Sequence, residues 1–468
     1  MTHGVEPCES PWTSHLRGIK TIGDIARMVR VGAQALSGLG DEPVEVACRR
    51  IEAAWDAIYI PSESECRLLL EFVEVALAYA NEWFRTKKAF LGAIFSGAIN
   101  IPPVFPFCVT GLSGVGKSAL RRALERLFTP PASTIAVSDE YEPFPWIPMR
   151  SALIENGPQS TLVFAALAGP GSKLKQTMVE CRGSMYRSGA CFAVLDEMQF
   201  LTHGEDARAM AARLLLSAAS LGTPLAYFCN FSMVYKMLKL PHESRQRLLA
   251  RLRLVTPCSP RDPLWAEYLQ ELQAAVPGLF AFNLVDRATE LWNYSAGLKR
   301  NLQQLLKESF RASRRVGETS VSWSTVESTY LHTDYFSTRE EVEQLLAHAM
   351  GNTKIKRDLM CPFASPSNNE YQAALRSLLQ QRFGKAVEDS VLNEAEKKEL
   401  AKIKSDLSPV PAAQRRRADP RPRTTGAAAP AERADAISEM KSVALVKAAY
   451  SLLQPKSKSR NPSSVKRG

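Results

Sequence analysis

The stretch Gly111-Leu-Ser-Gly-Val-Gly-Lys-Ser118 limits what this chain can fold into more than any other feature. It matches G-x-x-x-x-G-K-[ST], follows the apolar run FPFCVT and opens a helical pattern at Lys117, a setting that a chance match lacks. The glycines let successive backbone N–H groups turn inward, and a helix start adds its positive end. Gly111, Ser113, Gly114, Val115 and Gly116 therefore predict a cradle for phosphate. Lys117 is expected to reach the β- and γ-phosphates of ATP, and the Ser118 hydroxyl to give one oxygen to a bridging Mg2+.

Around this loop, short apolar runs alternate with helical patterns: FCVTG, a helix from Lys117, STIAVSD, a helix near 172–188, CFAVLDE, a helix near 206–220, and PLAYFCN. Such alternation predicts a parallel sheet in an α/β fold, with helices on both faces. Upstream, EVACRRIEAAWDAIYI and SESECRLLLEFVEVALAYANEWFRTKKAFLGAIF carry apolar residues at helical spacing, and Ser62 with Glu65 reads as a capping box. The expected organisation is a helical N-terminal module (1–98), a nucleotide-binding domain (99–260), a helical lid (261–350), a helical extension (351–404) and a basic, largely disordered tail (405–468).

Binding a metal–nucleotide needs a second carboxylate, and CFAVLDE supplies Asp196 at the end of a buried strand. Asp196 is expected to hold Mg2+. Glu197 beside it is expected to polarise the attacking water as a general base. Asn230 ends PLAYFCN, where it orients that water or serves as a turn or capping residue. Arg245, Arg247, Arg251 and Arg253 crowd SRQRLLARLRLV, which reads either as the source of a guanidinium for a neighbouring subunit's site or as a basic helix face. Arg300 in SAGLKRNLQQLL begins a lid helix and is placed to meet the phosphates of its own subunit.

The formal charge of +11 suggests nucleic acid until its location is considered, because most of the excess lies beyond Ser405. DNA contact by the folded body then needs a local basic face, for which Lys299, Arg300, Lys307, Arg311, Arg314 and Arg315 are the candidates, a solvated face being the alternative. The nine cysteines are scattered and contain no C-x-x-C pair, which argues against zinc and a disulfide framework and for a reducing compartment. The first twenty residues lack an apolar signal core, and the most apolar stretch, 89–109, is interrupted by Asn100, Pro102, Pro103 and Pro106. A soluble, cytoplasmic protein without a membrane span is expected.

Taken together, the Gly111–Ser118 loop, DEMQFL, Asn230, the arginine segment and SAGLKR resemble the stations of an AAA+ ATPase. AGPGSKLKQTMVE, Gln199, LLARLRLV and GLKRNL are similar, more narrowly, to the TnsC/TniB transposition regulators over residues 85–348. The resemblance implies a five-stranded AAA+ sheet, ATP-dependent homo-oligomers on duplex DNA, and a link between a target-selecting protein and a transposase. It implies Asn230 as first sensor, Arg251 as the finger acting in trans and Arg300 as second sensor. Leu252 stands where an aromatic is expected after the finger. Related modules serve replication initiators and helicase loaders. A nucleotide-gated scaffold with protein partners in defence or signalling is the alternative class, while Glu197 beside the metal carboxylate disfavours a small-molecule kinase.

Overall fold

A computed structural model describes residues 10–97, 99–154, 160–173, 175–198, 207–349 and 357–391. The expected tail (405–468), Gln199 and the parts of the extension at 351–356 and 392–404 fall outside these residues.

Four helices come first: α1 (Ile22–Val29), α2 (Val44–Ala57), α3 (Glu63–Trp83) and α4 (Lys87–Ser96). The capping box read from the sequence starts α3, with the Ser62 hydroxyl accepting from Glu65 N and the Glu65 carboxylate accepting from Ser62 N. The long pattern that follows is two helices, because the chain leaves helical geometry at Phe84 and restarts under the Thr86 cap.

The nucleotide-domain strands are β1 (Phe107–Gly111), β2 (Thr134–Ile135), β3 (Phe144–Pro145), β4 (Met149–Leu153), β5 (Phe192–Asp196), β6 (Leu225–Asn230) and β7 (Arg251–Val255). Five of them pair in parallel in the order β4-β5-β6-β1-β7. β1 thus sits between strands that follow it by far in sequence, and the loop after β1 emerges at the point where the connections change direction, which is where an open α/β sheet leaves a crevice.

Three strand expectations need correction. STIAVSD does not join the sheet: only Thr134 and Ile135 are extended, paired antiparallel with β3. The fifth strand is β4, whose alternating buried and exposed residues, with Arg150 among the buried, hide an edge strand from a search for apolar runs. RLRLV is strand β7 and not a helix face, because the helix before it ends at Leu249.

Helices α5 (Lys117–Phe128), α6 (Ser160–Ala168), α7 (Met178–Arg187), α8 (Ala207–Ala219), α9 (Phe231–Met237) and α10 (His242–Leu249) connect the strands. Side chains alternate across a strand, so each strand feeds both faces. On one face, Cys108, Leu195, Tyr227 and Cys229 are buried with Phe164, Leu167 and Leu215 from the helices. On the other, Phe107 and Phe192 meet Phe72 of α3 at ring-centroid distances of 4.9 and 5.1 Å, and Phe128 of α5 meets Phe192 at 5.5 Å. A helix of the N-terminal segment therefore completes the sandwich of the sheet itself. Each such aromatic contributes about 1.5–3 kcal/mol on burial.

The lid comprises α11 (Pro263–Ala275), α12 (Ala288–Ser295), α13 (Lys299–Arg315), α14 (Trp323–Leu331) and α15 (Phe336–Ala349), and α16 (Pro366–Val391) follows it. The chain forms two compact units that meet after Arg376 in the sequence, and the second is described only as the last turns of α16. The N-terminal segment also holds the lid: Trp55 Nε1 of α2 donates to Leu272 O at 3.0 Å, and the Ala33 amide, between α1 and α2, to the Glu271 carboxylate at 2.7 Å. No described helix is long and apolar enough to cross a membrane.

Candidate nucleotide site

Where β1 stops, five residues turn the chain into α5. Gly114 has a φ of 75°, and a Cβ there would lie 2.9 Å from the Arg300 Cβ, so both backbone and space require glycine. Lys117 is the first residue of α5, and its Nζ donates back to Gly111 O at 3.0 Å and Leu112 O at 2.7 Å. These carbonyls hold the ammonium where phosphate oxygens would otherwise satisfy it. Burial pulls the Lys117 pKa down to about 8, since the charged form loses hydration that neutral carbonyls replace incompletely.

Asp196, the last residue of β5, is 5% exposed. Alternation places it on the face that also carries Phe192, the face covered by α5. Its Oδ1 accepts from the Glu197 amide at 2.8 Å, and its Oδ2 lies 2.9 Å from Arg121 Nε, an ion pair without hydrogen-bond alignment. Glu197 itself has a φ of 58°, a left-handed conformation costing about 1–2 kcal/mol.

Asn230 ends β6 and stands opposite Gly111 in the strand register. It occupies the N-cap position of α9, yet its side chain makes no capping bond, which sets aside the capping role. From the lid, Arg300 N donates to Gly114 O at 3.3 Å, and its Nη1 donates to Ser113 Oγ at 2.9 Å. The turn before α13 makes this approach possible: Gly297 has a φ of 70°, and a Cβ there would strike Trp292 Nε1, which donates to Cys258 O.

Ser113, Gly114, Gly116, Lys117, Ser118, Asp196, Glu197, Asn230 and Arg300, all expected at the site, line one cleft of about 780 Å³. Gly111 and Val115 shape its floor without lining it: Gly111 presents its carbonyl to Lys117, and Val115 is buried beneath the loop. Three contributors were not foreseen. Arg121 lies four residues after Lys117 on α5, with no motif to mark it. The end of α2 walls one side with Trp55, Asp56 and Ile58, while Tyr268, Gln303 and Lys307 wall the lid side. Burial pushes the Asp56 carboxyl up.

A cleft of this size accommodates a nucleotide. Among the described residues no group of three or more His, Cys, Asp or Glu is arranged to hold a metal. Ser118 and Asp196 instead offer two oxygen donors that would hold a Mg2+ arriving with the phosphates. Mg·ATP fits these residues.

Arg251 does not enter its own chain's cleft. It pairs in register with Phe107, at the far end of β1 from Gly111, about 13 Å away at roughly 3.3 Å per residue, and its guanidinium lies 4.9 Å from the Phe107 ring centroid. Arg247 pairs with Glu243 and Arg253 with Glu71.

The cations of the expected basic face of the lid have partners within the chain. Lys307 pairs with Glu52 at 3.2 Å, Arg311 with Glu45 at 2.9 Å and with Glu308, Arg315 with Asp334 at 3.1 Å, and Arg314 donates to Glu42 O at 3.3 Å. Lys299 lies over the Tyr268 ring, and Arg300 is engaged at the loop. The helical period puts these cations on one side of α13, and the acidic residues around α2 take up much of that side. Periodicity revealed the face but not what covers it.

No protein-family model and no curated protein matches the sequence. Among solved structures, the chain is similar to the Orc1 protein of Aeropyrum pernix in complex with DNA, at 17% identity and a TM-score of 0.40, over 77% of this chain and 86% of that one. The Orc2 protein of Aeropyrum pernix in ADPNP–ADP complexes gives 13% and 0.36 over 62% and 84%. Cdc6p of Pyrobaculum aerophilum gives 15% and 0.34 over 62% and 78%. The strand order, the loop after β1 and the carboxylate ending β5 identify the fold without these likenesses: it is an α/β P-loop NTPase fold with a parallel five-stranded sheet flanked by helices.

Proposed function

We propose that this chain binds Mg·ATP in the cleft, hydrolyses it, and uses the cycle to switch a homo-oligomer that works on DNA. The observation that carries the ATPase reading is the convergence, on the Gly111–Ser118 loop, of Asp196 at the end of β5 and Glu197 just after it, Asn230 from β6 and Arg300 from the lid. In this reading Lys117 leaves its carbonyl partners for the β- and γ-phosphates, and Ser118 and Asp196 hold Mg2+, which offsets phosphate charge. Glu197 takes a proton from the attacking water, Asn230 orients that water, and Arg300 couples the lid to the phosphates. Arg251, remote from its own cleft, is the residue offered to a neighbouring subunit.

The DNA reading rests on the basic residues concentrated beyond Ser405 and on the stations shared with initiator and helicase-loading ATPases. That initiator-like role comes first, because the described site requires nothing peculiar to transposition. Regulation of transposition, with a transposase and a target selector as partners, is the narrower form and rests on the AGPGSKLKQTMVE, LLARLRLV and GLKRNL segments. The pairing of the lid cations favours a second reading, a nucleotide-gated scaffold whose partners are proteins.

Steady-state ATPase with and without duplex DNA, on the intact chain and on one truncated before Ser405, separates these. DNA-stimulated turnover supports the first reading, and duplex-independent oligomerisation driven by ATP supports the second. Glu197→Gln is expected to bind ATP and hold the assembled state with turnover reduced at least about a hundredfold. Normal turnover in that variant refutes the base assignment.

A further inference from the structure

We infer that Arg121 is a positioning residue that competes with Mg2+ for the Asp196 carboxylate, and so sets how much Mg2+ the site requires before nucleotide binds tightly. The inference rests on the reading of the cleft as an Mg·ATP site and extends it to a residue outside the usual stations.

Arg121 follows Lys117 by four residues, so the two share a face of α5 one above the other. Asp196 projects toward that helix from the end of β5. Both of its oxygens are engaged: Oδ1 by the Glu197 amide at 2.8 Å and Oδ2 by Arg121 Nε at 2.9 Å. The Asp196 side chain is 8% exposed and that of Arg121 23%, so water replaces this partner poorly. A buried carboxylate left alone is costly, and the guanidinium beside it offsets that cost.

The same contact opposes the metal. A cation that needs an oxygen of Asp196, directly or through water, must draw that oxygen away from Arg121. Glu125 offers the guanidinium another position, because it pairs with Arg121 one turn further along α5 and is more exposed. Arg121 is thus shared between a buried carboxylate at the site and an exposed one beside it. The split between them governs the resistance that Mg2+ meets.

The two carboxylates give variants with opposite signs. Titrate Mg2+ at fixed concentrations of a fluorescent ATP analogue and record the Mg2+ concentration giving half of the metal-dependent gain in affinity. Arg121→Gln removes the competitor and is expected to lower that midpoint about five- to tenfold, and Arg121→Lys to lower it less. Glu125→Gln leaves Arg121 wholly to Asp196 and is expected to raise the midpoint about twofold. A residue that merely supports the fold would not move the two midpoints in opposite directions. An Arg121→Gln midpoint that is unchanged or raised overturns the inference, as does a lowered one for Glu125→Gln. If Arg121→Gln fails to fold, Arg121→Lys and Glu125→Gln carry the test. Absence of any nucleotide binding by the parent chain would instead refute the reading of the cleft.

Discussion

The Arg300 guanidinium donates a hydrogen bond to the Ser113 hydroxyl at 2.9 Å, joining two residues 187 positions apart. It couples the first turn of a lid helix to the phosphate loop, and the Arg300 amide reinforces it through Gly114 O. Lid position and loop conformation are therefore coupled before a ligand arrives. Arg300→Ala is expected to weaken ATP binding by about 1.5–3 kcal/mol, the range for hydrogen bonds to charged groups, and to reduce the nucleotide-induced rise in melting temperature. Calorimetric titration and thermal melts with and without ATP check this, and an unaltered affinity would remove Arg300 from the site.

Nucleotide affinity should depend on pH through Lys117. Burial holds its pKa near 8 in the free site, so the ammonium is charged below that pH and loses its proton as pH rises through it. Phosphate favours the charged form and raises the pKa in the complex. Affinity is thus highest below about pH 8 and is expected to fall by up to about tenfold per unit above it. Binding near pH 8.5 should take up protons, visible as a dependence of calorimetric heat on buffer ionisation enthalpy. A flat profile from pH 7 to 9.5 contradicts the depressed pKa.

The lid cations supply a test in which stability and DNA affinity part company. Arg311→Ala breaks pairs with Glu45 and Glu308, the latter largely buried, and is expected to cost about 1–3 kcal/mol of stability. DNA affinity and its salt slope should stay unchanged, because an internally paired guanidinium releases few phosphate counterions. Denaturant titration and binding at two salt concentrations measure the two effects. A salt slope lowered by about one would return Arg311 to the DNA interface.

Phe72 belongs to the N-terminal segment but is buried between Phe107 and Phe192 on the sheet. Phe72→Ala is expected to cost about 3–5 kcal/mol, and a chain starting at residue 99 to lose the cover of that sheet face. Chemical denaturation measures the first and circular dichroism of the shortened chain the second. A cooperatively folded chain from residue 99 would show that α3 is an accessory after all.

Much of the site was legible in the sequence because its chemistry imposes local spacing. A phosphate loop needs glycines and a lysine within eight residues of one turn, and a metal carboxylate needs the end of a buried strand. The Gly111–Ser118 loop, Asp196 and Glu197 could therefore be placed without knowing the fold, as could the α3 capping box. Strand β4 was not legible: an edge strand with Arg150 inside it breaks the apolar pattern, and its identity comes from pairing with β5.

What the tertiary structure decided is everything that depends on which surfaces meet. The sequence determined that α13 is basic along one side, but only packing revealed that Glu45 and Glu52 lie against it. It determined that Arg121 follows Lys117 by one helical turn, but not that two-residue alternation along β5 turns Asp196 toward that helix. Local rules act over a few residues, set by the geometry of a turn or a strand. The partners of a charge are set by whichever chain segments fold against it, and for this protein those segments lie tens to hundreds of residues away.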